Sequence, residues 1–324
     1  MTKAIIIKQT GGPEVFQSAE VNVGNPGPGE IKLKQTAVGL NFIDVYLRTG
    51  LYPLNDFPEI IGMEGAGVVS AVGEGVTAVK EGDRVAYPMV KGAYTQERLI
   101  PDWKVAKLPD AISDETGAAM MLKGMTAHYL LHRTYKVQPG DPILVYAAAG
   151  GVGQILCQWG KEMGAVVIGC VGSEAKAELA KAAGAAHTIN YSTENIAEKA
   201  RELTGGEGVA VAYDSIGKAT FEASLDSLRP FGTYVTYGNA SGPVDPFSPA
   251  ILGPKGSLYV TRPTLATHTR NPEILAEGAN ALFDVVTSGK VKINIIQKYE
   301  LTDVAQAHRD LEDRKTTGST VLIP

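Results

Sequence analysis

Ala147-Ala148-Ala149-Gly150-Gly151-Val152-Gly153 is the stretch that decides the fold of this chain. An apolar, β-rich run, Pro142-Ile143-Leu144-Val145-Tyr146-Ala147, leads into it, and Val152, Ile155, Leu156, Trp159 and Met163 follow at helical spacing. The pattern is strand, tight turn, helix. In such a turn glycines let the backbone approach a pyrophosphate, and the unpaired N–H groups of the helix N-terminus bind the anion. Ala149, Gly150, Gly151, Val152 and Gly153 are therefore candidate phosphate contacts. The run departs from G-x-G-x-x-G, because Ala148 holds the first glycine position.

A second apolar strand, Val166 to Val171, ends about 20 residues past the glycines, where NAD-binding folds place an acid for the ribose hydroxyls. Here Gly172 stands in that place. Without a carboxylate the 2′ position can carry a phosphate. Ser173 and Lys176 supply a hydroxyl and a cation just beyond, and Tyr191, after the strand-like His187-Thr188-Ile189-Asn190, adds another donor. This set points to NADPH as cofactor. Lys176 also reads as a solvated helix lysine and Tyr191 as a packing residue, and the charge of Glu174 argues against an anion.

With 324 residues, 44% of them hydrophobic and 20% charged, the chain has room for two domains with ordinary globular cores. A net charge of −5 and the lack of a basic block make nucleic acid an unlikely partner. The apolar run at Ala4-Ile5-Ile6-Ile7 is too short for a signal peptide, and no later run approaches the ~20 residues of a membrane span. A cytoplasmic location without membrane attachment is expected. The two cysteines, Cys157 in the helix after the glycines and Cys170 in the next strand, read as buried, reduced thiols.

Residues 1–123 are rich in Gly, Val and Pro and read as short strands and turns, a compact β barrel. Glu30-Ile31-Lys32-Leu33-Lys34 alternates, Gly65 to Gly73 is a glycine-bent strand, and Gly82-Asp83-Arg84-Val85 opens another from a turn. Residues 124–264 alternate strands (143–147, 166–171, 187–190, 209–213, 233–237, 257–261) with helical patterns, which predicts an α/β, doubly wound parallel sheet. Gly238 and Asn239 end one of these strands, at the edge where such sheets bind ligands. Asn271 and Pro272 open a helix that Gly289 closes, and a β-rich tail ends at Pro324. Residues 265–324 are expected to return and complete the first domain.

The ordered motifs Gly11-Gly12-Pro13-Glu14-Val15, Gly39-Leu40-Asn41-Phe42-Ile43-Asp44, Gly50-Leu51-Tyr52-Pro53, Leu122-Lys123-Gly124-Met125-Thr126-Ala127, Ala147 to Gly153, Tyr213 to Gly217, Gly238 to Gly242 and Lys255 to Pro263 run through the whole chain. Together they resemble the medium-chain dehydrogenase/reductase superfamily, and within it the zinc-free quinone oxidoreductases related to ζ-crystallin. The resemblance implies a GroES-like β-barrel domain and a Rossmann-type domain. It also implies that Asn41, Tyr46 and Tyr52 line the catalytic cleft, and that Asn41, Thr126, Gly238, Asn239, Val260 and Arg262 contact the cofactor. Zinc-bearing relatives use Cys, His and Cys as catalytic ligands and four Cys for a structural site. Asn41 and Met63 occupy the positions of the first Cys and the His, and two cysteines cannot form a four-Cys lobe, so no metal is expected. His128 and His132 share a helix face without a matching third ligand.

Without a Lewis acid, reduction of an electrophilic acceptor is easier than alcohol oxidation. The resemblance implies transfer of reducing equivalents from NADPH to a quinone. Reduction of α,β-unsaturated ketones or aldehydes is the enzymatic alternative, and a crystallin-like or RNA-binding role the non-enzymatic one. Asn41 can bond an acceptor oxygen or the carboxamide, or cap a helix with Asp44 three residues on; the tyrosines can donate O–H groups or simply pack. Arg262 reads equally as an interface or ion-pair residue. The strand-forming Ser257 to Thr261, an edge that needs covering, predicts a homodimer.

Overall fold

The structure, a computed structural model, describes residues 1–324. The chain divides into two compact units. One comprises Met1–Met125, His268–Thr287 and Ile293–Pro324, and the other Thr126–Thr267 and Ser288–Lys292. The short stretch 288–292, read from sequence as part of the return segment, packs with the second unit.

In the first unit β1 (Thr2–Ile7) pairs antiparallel with β2 (Phe16–Val21). The spine is β3 (Glu30–Gly39), whose alternation puts Ile31 and Leu33 in the core and turns Lys32 and Lys34 outward. After α1 (Phe42–Thr49), β4 (Glu64–Val72) bonds one flank of β3. Then come β5 (Arg84–Pro88), β6 (Glu97–Pro101) and β7 (Ala106–Lys107). The first half of β3 takes β6 as a second partner, so this one strand organises the curled sheet. α2 (Asp114–Tyr129) follows and runs on into a single π turn, Leu130–Thr134.

The second unit is a six-stranded, wholly parallel sheet. It is built from β8 (Pro142–Val145), α3 (Gly151–Glu162), β9 (Val166–Val171), α4 (Glu174–Ala182), β10 (His187–Asn190), α5 (Ile196–Leu203), β11 (Val209–Asp214), α6 (Phe221–Ser227), β12 (Leu228–Thr236) and β13 (Tyr259–Thr261). The strand order is β10-β9-β8-β11-β12-β13, doubly wound about β8. Its central strands are apolar on both faces, as a sheet covered on both sides requires; every residue of β11 is buried.

The return begins with α7 (Pro272–Thr287), where Asn271 Oδ1 accepts the Ile274 N–H at 3.0 Å and caps the helix. β14 (Ile295–Glu300), α8 (Val304–Glu312) and β15 (Ser319–Ile323) follow, and β15 joins the end of β3. The expected β-rich tail therefore contains a helix. Val304, Ala307, His308 and Leu311 recur at helical spacing, but a histidine in the apolar stripe hides the period.

Candidate functional site

β8 stops at Val145 rather than Ala147, because Ala147 turns into the left-handed region with φ +49°. The chain then reverses on the Gly150 N–H to Ala147 carbonyl bond, 2.8 Å, and α3 begins. No side chain caps α3 at its N-terminus. At Gly153 a Cβ would sit 2.2 Å from the Ala147 carbonyl oxygen, which is why helix and turn pack this closely. The methyl of Ala148 fills the space over Gly169 in β9, where a second Cβ would approach to 2.8 Å.

At the end of β9, Gly172 lies against Tyr191, and a Cβ there would come 2.6 Å from the phenol oxygen. The next residue, Ser173, caps α4 and accepts the Lys176 N–H at 3.4 Å. Tyr191 is tied back by its N–H to the Val171 carbonyl and is two-fifths exposed. Glu174 is turned aside and accepts from Asn190 Nδ2 at 3.0 Å. Gly172 and Ser173 are thus brought beside Tyr191 by the neighbouring ends of β9 and β10, and the Lys176 backbone follows in the first turn of α4.

All six strands run the same way, so their C-terminal ends share one edge. Gly238 and Asn239 lie just beyond β12, fastened to the end of β11 by Ala240 N–H to Ser215 O at 3.2 Å. Val260 lies in β13 opposite Tyr234, and Arg262 follows that strand, its Nη1 donating to the Pro263 carbonyl at 3.1 Å. Thr126 sits buried on α2.

The hub of this edge is Asp214, at the end of β11, which the sequence shows only as a letter within the Tyr213 to Gly217 motif. Buried, it accepts from Ile216 N–H (2.7 Å), Gly217 N–H (3.1 Å), Thr220 (2.7 Å) and Tyr234 (3.0 Å), while the Ser224 hydroxyl, 3.3 Å away, gives its one proton to the nearer Thr220 carbonyl at 2.7 Å. Burial pushes its carboxyl above the usual carboxylate range, and the donors pull it back.

In the first unit Asn41 stands at the N-terminus of α1, and its backbone N–H donates to Asp44 Oδ2 at 2.9 Å, the return bond of a capping box. Gly50, at φ +83°, ends α1 and turns the chain so that the Tyr52 N–H bonds the Tyr46 carbonyl at 3.0 Å. The two phenol rings then meet edge to face at 5.2 Å. Asn41, buried, gives its amide Nδ2 to Glu64 Oε2 at 2.8 Å. Glu64 is fully buried and also accepts from Leu122 N–H (2.7 Å) and Lys123 Nζ (3.2 Å). An isolated buried carboxylate would be costly; three donors, one charged, hold this one. Glu64 and Lys123 were legible only as letters within motifs.

This donor set does not suit zinc. The Asn41 nitrogen is committed to Glu64, Met63 offers a thioether, and burial pushes the Cys157 thiol up to about 12, far from the thiolate that zinc binds. No three His, Cys, Asp or Glu side chains converge as a ligand group. His128 and His132 instead stack at 5.0 Å and pack on Trp159.

A parallel six-stranded sheet opened by a glycine turn, in a chain whose other unit is folded around β3 and carries the Asn41–Glu64–Lys123 cluster, has the architecture of a medium-chain dehydrogenase. Residues 27–138 match the profile described as "Alcohol dehydrogenase GroES-like domain", and residues 151–291 that described as "Zinc-binding dehydrogenase". A Pseudomonas aeruginosa protein named "Quinone oxidoreductase" is 49% identical, with 100% of both chains covered. A Burkholderia protein named "2-haloacrylate reductase" is 48% identical over 100% of this chain and 99% of the relative. The Escherichia coli quinone oxidoreductase, solved in complex with NADPH, superposes with a TM-score of 0.98 at 47% identity, covering 99% of this chain and 100% of that one. The chain belongs to the quinone oxidoreductase family of the medium-chain dehydrogenase/reductase superfamily.

Proposed function

We propose that the protein is an NADPH-dependent quinone oxidoreductase that works without a metal. The observation that carries the cofactor choice is Gly172: at the place of a ribose-binding acid there is no side chain, and the Tyr191 hydroxyl lies 2.6 Å from where a Cβ would stand. Ser173, Lys176 and Tyr191 are the residues that would hold a 2′-phosphate, and a carboxylate of the NAD-selective kind would have to displace Tyr191. The uncapped α3 N-terminus, with Ala149, Gly150, Gly151, Val152 and Gly153, would take the pyrophosphate. Thr126, Gly238, Asn239, Val260 and Arg262 would hold the remaining parts of the dinucleotide. NADPH supplies the hydride, and a quinone is an acceptor conjugated enough to take it without a Lewis acid.

The protein's own residues then position and protonate. Asn41 sets the acceptor side, with its amide fixed by Glu64. Tyr46 and Tyr52 offer apolar faces for a flat ring and hydroxyls for a developing hydroquinone oxygen. Proximity and orientation carry most of the rate. A second reading, reduction of an activated carbon–carbon double bond, draws on the relative named for 2-haloacrylate.

No helix is long and apolar enough to cross a membrane, and we infer a cytoplasmic enzyme. β13 closes one edge of the six-stranded sheet and bonds only β12, with Tyr259 three-fifths exposed, which supports a homodimer through that edge. The deciding measurement is NADPH oxidation against ortho-quinones, para-quinones and enones, with NADH in parallel. Quinone turnover with NADPH well above NADH is expected; an enone outpacing every quinone would transfer the assignment to the second reading, and no turnover at all would end both.

A further inference from the structure

We propose that Asp44 is a positioning residue for the acceptor side of the site, and that Arg48, through His308 and Tyr94, fixes the direction of the hydrogen-bond chain that reaches it. The proposal rests on the reading above in which Asn41, Tyr46 and Tyr52 face the acceptor. Asp44 is fully buried on α1, three residues after Asn41 and two before Tyr46.

The direction follows from donor counting. Arg48, 1% exposed, has donors only. Its Nη1 lies 3.1 Å from His308 Nδ1, so that nitrogen accepts. Burial first, and the Arg48 charge second, push His308 well below its ordinary pKa; the ring is neutral and carries its proton on Nε2. Nε2 stands 2.9 Å from the Tyr94 hydroxyl oxygen and donates to it. The Tyr94 proton is thereby directed at Asp44 Oδ2, 3.0 Å away. The Glu312 carboxylate, one-third exposed, anchors the outer end by accepting from Nη1 and Nη2 of Arg48 at 2.8 and 2.7 Å. Reversing either imidazole link would turn an N–H toward the guanidinium. The chain therefore delivers donors inward and does not carry protons outward.

Its target is unusually exposed to the loss of one bond. Asp44 Oδ1 has no partner, so both donors, the Asn41 N–H at 2.9 Å and the Tyr94 hydroxyl, fall on Oδ2. Two further charges act on it: Lys123 from α2 favours the anion, and Glu64 at the start of β4 opposes it. Full burial outweighs the donors and raises Asp44 to about 7. The ionised form, which grips the first turn of α1, thus gains and loses occupancy across neutral pH.

The test is the pH profile of kcat/KM with NADPH and a quinone in the wild type, Tyr94→Phe and Asp44→Asn, with thermal stability followed over the same range. Wild-type activity should rise with pH along a limb near 7. Tyr94→Phe should move that limb upward by about one pH unit, the scale of one hydrogen bond to a charged group. Asp44→Asn, which keeps an acceptor oxygen but cannot ionise, should abolish it. A uniform loss of activity with the limb unmoved in Tyr94→Phe, or a limb surviving in Asp44→Asn, overturns the proposal. If Tyr94→Phe does not fold, Asp44→Asn decides alone. If Asn41→Ala leaves turnover untouched, the underlying site reading is what has failed. The chain is then judged by stability alone: Tyr94→Phe must still shift its pH dependence, and no shift overturns the hydrogen-bond direction too.

Discussion

Two buried carboxylates, Asp214 in the parallel sheet and Asp44 in the first unit, sit at the ends of elements and are surrounded in opposite ways. Asp214 has four donors, all from residues 216–234, at most 20 positions away. Asp44 has two, one local and one from Tyr94, which is itself held by His308, 214 positions further on. Burial lifts both, but Asp44, with fewer donors, is lifted to about 7. Asp214 is satisfied by neighbours in sequence, whereas Asp44 depends for its second donor on a distant residue and is left near its titration point. The same contrast separates the glycine-turn edge, built largely from backbone and short-range contacts, from the Asn41 side, built from distant side chains.

The strongest blow to the local half is Asp214→Ala. It strands two hydroxyls and two N–H groups, and chemical denaturation should show a loss of about 3 kcal/mol or more. A loss under about 1 kcal/mol would mean that the neighbours re-pair and that the four donors are not a unit. Lys176→Ala should weaken NADPH binding by about 1 to 3 kcal/mol in titration calorimetry and barely change NADH. Equal losses would remove Lys176 from the phosphate site.

On the long-range half the sign of the pH effect is the sharper probe. The folded protein holds the Asp44 proton more tightly than the unfolded chain, whose value is near 3.8, so this group's contribution falls as pH rises toward and through about 7. Between pH 6 and 8 it should withdraw about 1.4 kcal/mol, and Asp44→Asn should remove that slope in thermal melts. An identical slope in the variant would assign it elsewhere. The smallest effect is expected at the tyrosines. Tyr46→Phe and Tyr52→Phe should each cost quinone turnover about 1 kcal/mol, the scale of a neutral hydrogen bond. A fall of ~100-fold with NADPH affinity intact would instead make that phenol an essential general acid.

The difference in sequence range also explains what the sequence disclosed. The strand–turn–helix at Ala147–Gly153, the alternation of β3, the parallel order implied by 124–264 and the cap at Asn271 all depend on neighbours, and each was readable. Asp44 as partner of Asn41 was readable too, because a capping box has a fixed spacing of three. Glu64 with Lys123, and Tyr94 with His308, carry no spacing signal; only the folded sheet brings them together. α8 escaped for a related reason, since its His308 serves the buried chain and breaks the apolar stripe that would have declared the helix.

Ala148 shows what a motif written in letters leaves out. The glycine absent at that position is present in the neighbouring strand, at Gly169, where the Ala148 methyl occupies the one Cβ volume that the turn after β8 shares with β9. The pair is a trade: one methyl group, assigned to β8's side or to β9's. Ala148→Gly with Gly169→Ala should exchange the assignment at little cost, while Gly169→Ala alone should crowd the turn by one carbon too many. The fingerprint of this turn is thus a count of methyl groups over two strands, and a pattern read along one strand sees half of it.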